Sequence, residues 1–485
     1  MNEVILIRPF TRKKAPIGLF SIASILNHNG YSVTFLDQTV TDNFNQKFID
    51  ALENNPLCVG ITSMTGPQLK YALDCARLVK QTNKKIPVIL GGVHATLFAE
   101  QPLKSGLFDI VVQGEGEFIM LELVKALNNG KQLDNIAGLA FKENGRVRVS
   151  SKQEYIDLNA LPPINYRLFD IEKYIENAPL FGSKSKRSFL INTGRGCSYR
   201  CKFCYCTFMG REYRHFPTQS IIDSLKILKK EYGVEAFEFI DDYLFANRKF
   251  VNALCQGLIE NDIDVLWHGN ARVNTFIKYK PETLDLLRDS GCRSLAFGIE
   301  SGSQRLLDFM GKNINLTQIY RLKEILGDIK FTNHYFSFLF GLPTETRADF
   351  IKTIEIIDML CTEGERDLVE INGYLPFPGT ELYDYVIKEG LFDPPDTIEG
   401  WADLSWETVN SVSFSKHYKK LLRAVKILFA CKKRGFAFRI VYVTFLNFYR
   451  LTKCDFILVL LCYFETLLGR VSKKKRSINP TTLDK

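Results

Sequence analysis

The sequence shows no long apolar run, and its opening residues give no reason to expect a secretory leader. The longest charge-free stretches in its C-terminal part, Ile440–Tyr449 and Phe456–Phe464, fall far short of the ~20 residues a bilayer-spanning helix needs. A transmembrane helix is therefore not expected. The first nine residues, MNEVILIRP, turn polar too soon for a signal-peptide core and read instead as a buried strand. Without a secretory address, the 12 cysteines are not expected to form a disulfide framework, and a cytoplasmic protein is expected. No internal repeat, low-complexity tract or nucleic-acid reader module is present, so no nucleic-acid partner is expected.

What is present is ordinary globular material. The 485 residues are 46% hydrophobic and 24% charged, enough for two or three cores. The net charge of +9 hides an asymmetry. Lys416–Lys485 carries 17 basic and 3 acidic residues, while the rest of the chain carries 46 and 51. A mildly acidic body thus bears a basic tail, where any electrostatic partner is to be sought. Within it, Ser415–Arg434 is basic and amphipathic and Phe436–Gly469 apolar and aromatic. Two readings stand: a solvated C-terminus behind a packed helix, or peripheral attachment to the anionic inner face of the membrane.

Short apolar runs alternate with amphipathic stretches from residue 1 to about 130. Val4–Arg8, Ser32–Leu36, Leu57–Ile61, Pro87–Leu90 and Asp109–Val112 read as strands, and Leu19–Asn27, Phe44–Glu53, Gln68–Gln81 and Phe118–Leu127 as helices. This spacing predicts parallel βαβ units and a doubly wound, Rossmann-like sheet. Ligands of such sheets lie beyond the carboxyl ends of the strands. The loops there are Thr62–Pro67 (TSMTGP), Gly91–Ala95 (GGVHA) and Gln113–Glu117 (QGEGE). Each reads alone as a tight turn or a ligand cradle; three on one edge favour the cradle. The candidate contacts are Thr62, Ser63, Gly91, Gly92, His94, Gly114 and Glu115.

Residues 131–185 read as a connector, with a small hairpin around Asn144–Gly145 and a break at Leu161-Pro162-Pro163. A second series of six βα units fills residues 186–395. Its strands are Phe189–Thr193, Ala236–Ile240, Asp264–Asn270, Ser294–Gly298, Phe336–Gly341 and Val369–Leu375. Its helices are Ser220–Glu231, Lys249–Glu260, Pro281–Asp289, Leu316–Leu326 and Arg347–Met359. Six repeats without a return strand predict a partial (β/α)6 barrel, open on one side, with chemistry at the carboxyl ends of its strands. Residues 396–485 form the helical, basic C-terminal region.

The segment Gly194–Tyr205 reads GRGCSYRCKFCY and spaces Cys197, Cys201 and Cys204 as Cys-x3-Cys-x2-Cys. Thiolates ligate iron–sulfur clusters, and close spacing lets one loop wrap a single cluster. Three ligands to a four-iron cube leave one iron open. Structural zinc is the rival, but it usually combines two Cys-x2-Cys pairs or one pair with two histidines. Neither follows here; Cys206 sits only two residues after Cys204, and His215 stands alone.

Cys197-x3-Cys201-x-Phe203-Cys204 resembles the signature loop of the radical S-adenosylmethionine (SAM) superfamily. Glu238–Tyr243 (EFIDDY), Ala271-Arg272, Phe297–Gly302 (FGIESG), Gly341–Thr346 (GLPTET) and Pro376–Thr380 (PFPGT) resemble later strand ends of that family's barrel. Upstream, Gly91–His94 followed by Gly114–Glu117 resembles the cobalamin-binding domain that precedes the barrel in one subgroup, placing such a domain at residues 1–130. The resemblance covers residues 1–395. It implies a 4Fe-4S cluster on the three cysteines, SAM chelated to the open iron, and cobalamin cradled by the glycine-rich loops. One electron, from a donor such as flavodoxin or ferredoxin, would cleave SAM to a 5′-deoxyadenosyl radical, so the site must exclude water. By position, Asp241 and Asp242 resemble contacts to the SAM amine or ribose, Arg272 to its carboxylate, and Glu300 and Ser301 to its ribose. A departure concerns the cobalt ligand: no Asp-x-His-x-x-Gly run occurs, and His94 is the only histidine near these loops.

The activity expected is methyl transfer to an unactivated carbon or phosphorus centre of a small-molecule or lipid-like substrate. A radical cyclase or rearrangement enzyme without methyl transfer is the first alternative, and a non-catalytic cobalamin-binding sensor the second.

Overall fold

The computed structural model describes residues 3–178, 186–205, 209–329, 331, 333–361 and 367–404. The basic tail with its two expected helices, and Cys206, lie outside them. Among the described residues, no helix is long and apolar enough to cross a membrane.

The first sheet begins where the alternation of apolar runs places it. Strands β1 (Glu3–Arg8), β2 (Ser32–Asp37), β3 (Cys58–Thr62), β4 (Val88–Gly91) and β5 (Ile110–Val112) pair in parallel in the order β2-β1-β3-β4-β5. Their runs are apolar throughout because helices cover both faces. Val4 and Leu6 face α1 (Ile17–His28), while Ile5 and Ile7 face α2 (Phe44–Glu53) and α3 (Gln68–Thr82). Two short helices, α4 (Val93–Leu97) and α5 (Glu100–Lys104), follow β4. Helix α6 (Gly116–Asn128) follows β5 and packs beside α1. The hairpin read as part of a connector forms β6 (Leu139–Glu143) and β7 (Arg146–Val149), which extend this same sheet antiparallel from β5. Backbone pairing of β6 to β5 draws it in, although the hairpin's outer strand is largely exposed.

The second sheet runs β16-β15-β14-β13-β12-β9-β8. A short β8 (Glu176–Ala178) lies antiparallel on β9 (Lys186–Ile191); then β12 (Ala236–Phe239), β13 (Leu266–Ala271), β14 (Cys292–Glu300), β15 (Asn333–Phe340) and β16 (Leu368–Gly373) follow in parallel. Strands β8 and β16 do not meet, so the barrel is partial, as expected. A two-residue ribbon, β10 (Gly194–Arg195) with β11 (Arg214–His215), sits at its rim. Along each strand the side chains alternate. Phe237, Phe239, Trp267, Leu295, Phe297, Phe336 and Phe338 are buried outward under the helices α7 (Thr218–Tyr232), α8 (Arg248–Glu260), α9 (Val273–Phe276), α10 (Pro281–Asp289), α11 (Gln304–Phe309), α12 (Leu316–Ile329) and α13 (Arg347–Leu360). The intervening residues, among them Glu238, His268, Asn270, Tyr335 and Ser337, are half-buried on the other face.

After α14 (Glu381–Lys388), the chain returns to the first sheet. Helix α15 (Ile398–Ala402) packs on α3, and Trp401 is fully buried, 4.9 Å from Phe98 and 6.3 Å from His94 between ring centroids. His94 is itself fully buried, and its Nδ1 lies 3.2 Å from the Thr65 hydroxyl.

A buried charge cluster joins the two sheets. Arg195, on β10, bonds Glu115 at 3.0 Å and also Glu117, both from the loop and helix that follow β5. Arg214, on β11, reaches the other oxygen of Glu115 at 2.9 Å and the Ile156 and Met209 carbonyls at 2.7 and 2.8 Å. Burial alone would raise the Glu117 carboxyl, but the Arg195 guanidinium outweighs it and holds the group below its usual range. Removing one partner of such a cluster leaves a buried charge under-compensated. Glu117→Gln is therefore expected to cost about 3 kcal/mol, read as a lowered denaturation midpoint; an unchanged midpoint would contradict the joint.

Burial also holds the His94 imidazole down, to about 4. Below its ordinary value of 6.5 the unfolded chain gains a proton that the folded chain refuses. Stability is thus expected to fall as pH drops from 6.5 to about 4, by on the order of 3 kcal/mol from this group. Urea titrations across that window should show a shallower slope in His94→Asn; an identical slope counts against the assignment.

Candidate functional site

The cysteine loop is fixed at its root before its first thiol. Where β9 ends, the Asp241 carboxylate accepts from the Thr193 amide (3.0 Å), the Thr193 hydroxyl (2.7 Å) and the Gly194 amide. Burial pushes the Asp241 carboxyl up to about 7, against the pull of these donors. Next comes Gly196 with φ +90°; a Cβ there would lie 2.2 Å from the Glu212 carbonyl, so only glycine lets the two strands of the rim ribbon close. The loop then curls: the Cys197 amide donates to the Gly210 carbonyl, Lys202 to Met310, and Cys204 to Cys201.

Cys197, Cys201 and Cys204 all line one cavity of about 470 Å³ at the carboxyl ends of the barrel strands. None of the three is in a disulfide. Among the described residues, no three His, Cys, Asp or Glu side chains converge closely enough to hold a single metal ion. Three thiols facing one cavity suit a multi-iron cube, whose ligands stand further apart than the four that close on zinc at ~2.3 Å. Asp242, Asn270, Arg272, Glu300 and Lys312 line the same cavity. They offer charge of both signs, the need of a ligand with an amino and a carboxylate group. The buried Arg272 Nε has no partner among the described residues, which leaves a donor for such a ligand.

The sequence-derived SAM contacts divide. Asp242, Arg272 and Glu300 face the cavity. Glu300 does so from a bulge in β14, at φ +67°, with Lys312 Nζ 2.7 Å from its carboxylate. Asp241 turns instead to the loop backbone, and Ser301 is buried against the Thr353 hydroxyl at 3.1 Å while its Oγ accepts from the Ser303 amide. Neither lines the cavity. Lys312 and Tyr199 do, unforeseen. Tyr199 stood inside the cysteine motif, whereas Lys312 lies in a turn with no sequence signal.

Thr62, Gly91, Gly92, Gly114 and Glu115 line a second cavity of about 270 Å³ at the carboxyl edge of the first sheet. Its floor is apolar, formed by Leu6, Ile22, Gly60 and Met120, and Asn192, Arg195 and Met209 close it from the barrel side. Gly92, at φ +94°, sits where a Cβ would meet the Ser63 carbonyl at 2.5 Å, so the two loops touch backbone to backbone. A third cavity, about 680 Å³, shares Gly114 and Glu115 with the second and is walled by Lys152, Tyr155, Arg211 and Tyr205. A narrow apolar slot opening beside a wide polar chamber fits a corrinoid. Ser63 is buried behind the slot and His94 lies beneath α15; no histidine lines either cavity among the described residues.

A model of the radical SAM superfamily matches residues 191–357, and one of the B12 binding domain matches residues 4–124. An uncharacterized methyltransferase of Pyrococcus horikoshii is 32% identical over 425 residues, covering 85% of this chain and 87% of the relative. The anaerobic magnesium-protoporphyrin IX monomethyl ester cyclase of Rubrivivax gelatinosus is 28% identical over 376 residues, covering 76% and 65%. Among solved structures, OxsB, a cobalamin-dependent SAM radical enzyme with aqua-cobalamin and SAM bound, shares the fold at a TM-score of 0.74 with 15% identity, covering 99% of this chain and 82% of its own. The chain belongs to the radical SAM superfamily, in the methyltransferase-containing branch that carries an N-terminal B12-binding domain.

Proposed function

We propose that the protein methylates an unactivated carbon or phosphorus centre of a small polar molecule. In this reading Cys197, Cys201 and Cys204 hold the cluster, and Asp242, Glu300 and Lys312 surround SAM in the same cavity, with Arg272 set against the Cys201 sulfur. Thr62, Gly91, Gly92, Gly114 and Glu115 cradle cobalamin, with Ser63 and His94 supporting those loops from behind. Asp241 and Ser301 position the strand ends instead of touching SAM. When bound, the cluster would supply one-electron reduction of SAM, with a flavodoxin or ferredoxin as donor, and the corrinoid would supply a methyl group.

One observation carries the proposal: Cys204 lines the cluster cavity, and its neighbour Tyr205 lines the corrinoid chamber. A single residue step therefore separates the two cofactor sites, as a reaction drawing on both requires. The chain's own side chains do the remaining work. Tyr199 and Phe203 line the cavity beside the thiols and present aromatic surface there, which favours exclusion of water. The cavity also reaches His268, Tyr335, Ser337 and Glu370. Burial holds His268 to about 4, so it is neutral at pH 7 and meets the Ser294 hydroxyl at 3.0 Å. These groups offer hydrogen bonds, which favours a polar substrate over a lipid chain.

The cyclase relative supports a second reading, ring closure without methyl transfer. Incubation of the anaerobically reconstituted protein with deuteromethyl-SAM and the small-molecule fraction of its own cell extract separates the two. A product heavier than its precursor by one labelled methyl in place of hydrogen is expected. Consumption of SAM with an unlabelled product supports ring closure, and loaded protein that never cleaves SAM contradicts both. Cys201→Ala should abolish cluster binding and lower SAM cleavage by at least ~10³-fold, since the radical chemistry resides in the cofactor.

A further inference from the structure

We propose that Arg272 tunes the reduction potential of the iron–sulfur cluster through a hydrogen bond to the sulfur of Cys201, and that this, not the grip on a SAM carboxylate, is its main role. The inference rests on the cysteine triad holding the cluster, as read above.

The geometry is specific. Arg272 Nη1 lies 3.4 Å from Cys201 Sγ, and both residues are buried. Its guanidinium carbon stands 3.5 Å from the centroid of the Tyr199 ring, so the cation is stacked as well as bonded. Nη2 donates to the Lys312 carbonyl at 2.5 Å, and the Lys312 ammonium is itself held by Glu300. Both terminal nitrogens of the fork already carry bonds within the protein, which leaves Nε as the one nitrogen without a partner among the described residues. A bidentate clamp on a carboxylate would have to give up part of this arrangement.

The effect follows from charge. A one-electron donor of low potential adds a single negative charge to the cluster. A fixed cation and an N–H donor at a ligand sulfur stabilise that reduced form more than the oxidised one. In a water-poor cavity the preference is stronger than it would be in solvent. Tyr199 fixes the guanidinium plane, so it serves as a positioning residue, acting through Arg272.

The test uses the full chain, reconstituted anaerobically with iron and sulfide in the absence of SAM, and titrated with mediators while the reduced cluster is read by electron paramagnetic resonance. In Arg272→Gln the reduced fraction at the wild-type midpoint should drop about tenfold in ratio, equal to ~59 mV for one electron. Arg272→Lys keeps the charge and should recover part of the shift, and Tyr199→Leu should move the midpoint the same way by less. Addition of SAM to the oxidised cluster, which cannot cleave it, then reads SAM affinity, expected to change by no more than a few-fold. A wild-type midpoint in fully loaded Arg272→Gln overturns the proposal; if SAM binding is lost at the same time, Arg272 is a SAM clamp. Should Arg272→Gln fail to hold a cluster, wild-type midpoints in both Arg272→Lys and Tyr199→Leu overturn it equally. A wild-type chain that binds no cluster would instead sink the reading of the triad.

Discussion

The Arg195 guanidinium lies where the two sheets close on each other. It is nearly inaccessible to solvent, and its two carboxylate partners come from the segment that follows β5 of the first sheet. A charge so placed is tolerable only with its partners in contact, so the barrel rim and the glycine-rich loop cannot separate without large cost. That constraint sets where everything else lies. Gly114 and Glu115 wall the slot and chamber at the first sheet, while Arg195 stands two residues before Cys197. Asp241 fixes the same loop from the opposite side by taking the Thr193 and Gly194 amides. The cluster loop is thus gripped between two buried carboxylate systems, one from each unit.

In the proposed function, this arrangement is what brings two large cofactors to one substrate. The loop that carries the thiols also carries Tyr205, which faces the neighbouring chamber. The barrel sheet's outer face is filled by aromatic side chains that pack under the helices, whereas its inner face turns His268, Asn270, Tyr335 and Ser337 toward the cavity of the cysteine triad. Backbone alternation alone makes that division possible. Helix α15 adds a further tie, because Trp401 seals the first sheet with a residue that follows the barrel in the chain.

Much of this was legible in the sequence, for identifiable reasons. Pro281–Asp289 and Phe44–Glu53 occur in the structure with the bounds expected, since apolar periodicity and, for the first, a proline at the helix start mark them unambiguously. The Cys-x3-Cys-x2-Cys spacing is local and needed no tertiary knowledge. What was missed depends on tertiary geometry. Asp241 and Asp242 are adjacent, yet one faces the backbone and the other the cavity, and the phase of a strand's last residues cannot be read from identity alone. Ser301 turned inward for the same reason. The Arg195 pairings span about eighty positions in sequence, and strands as short as β8, β10 and β11 have no pattern of their own to read. His94 stood out by its rarity, but its burial is imposed by Trp401, three hundred residues further on.

The central claim is that three thiolates hold an iron cube with one corner left for SAM. Mössbauer spectra of the anaerobically reconstituted full chain, recorded before and after SAM is added, measure this directly. The account predicts that a single iron environment of the cluster changes on addition while the others keep their parameters. Spectra that SAM leaves unaltered, or that show one mononuclear iron per chain, would contradict it.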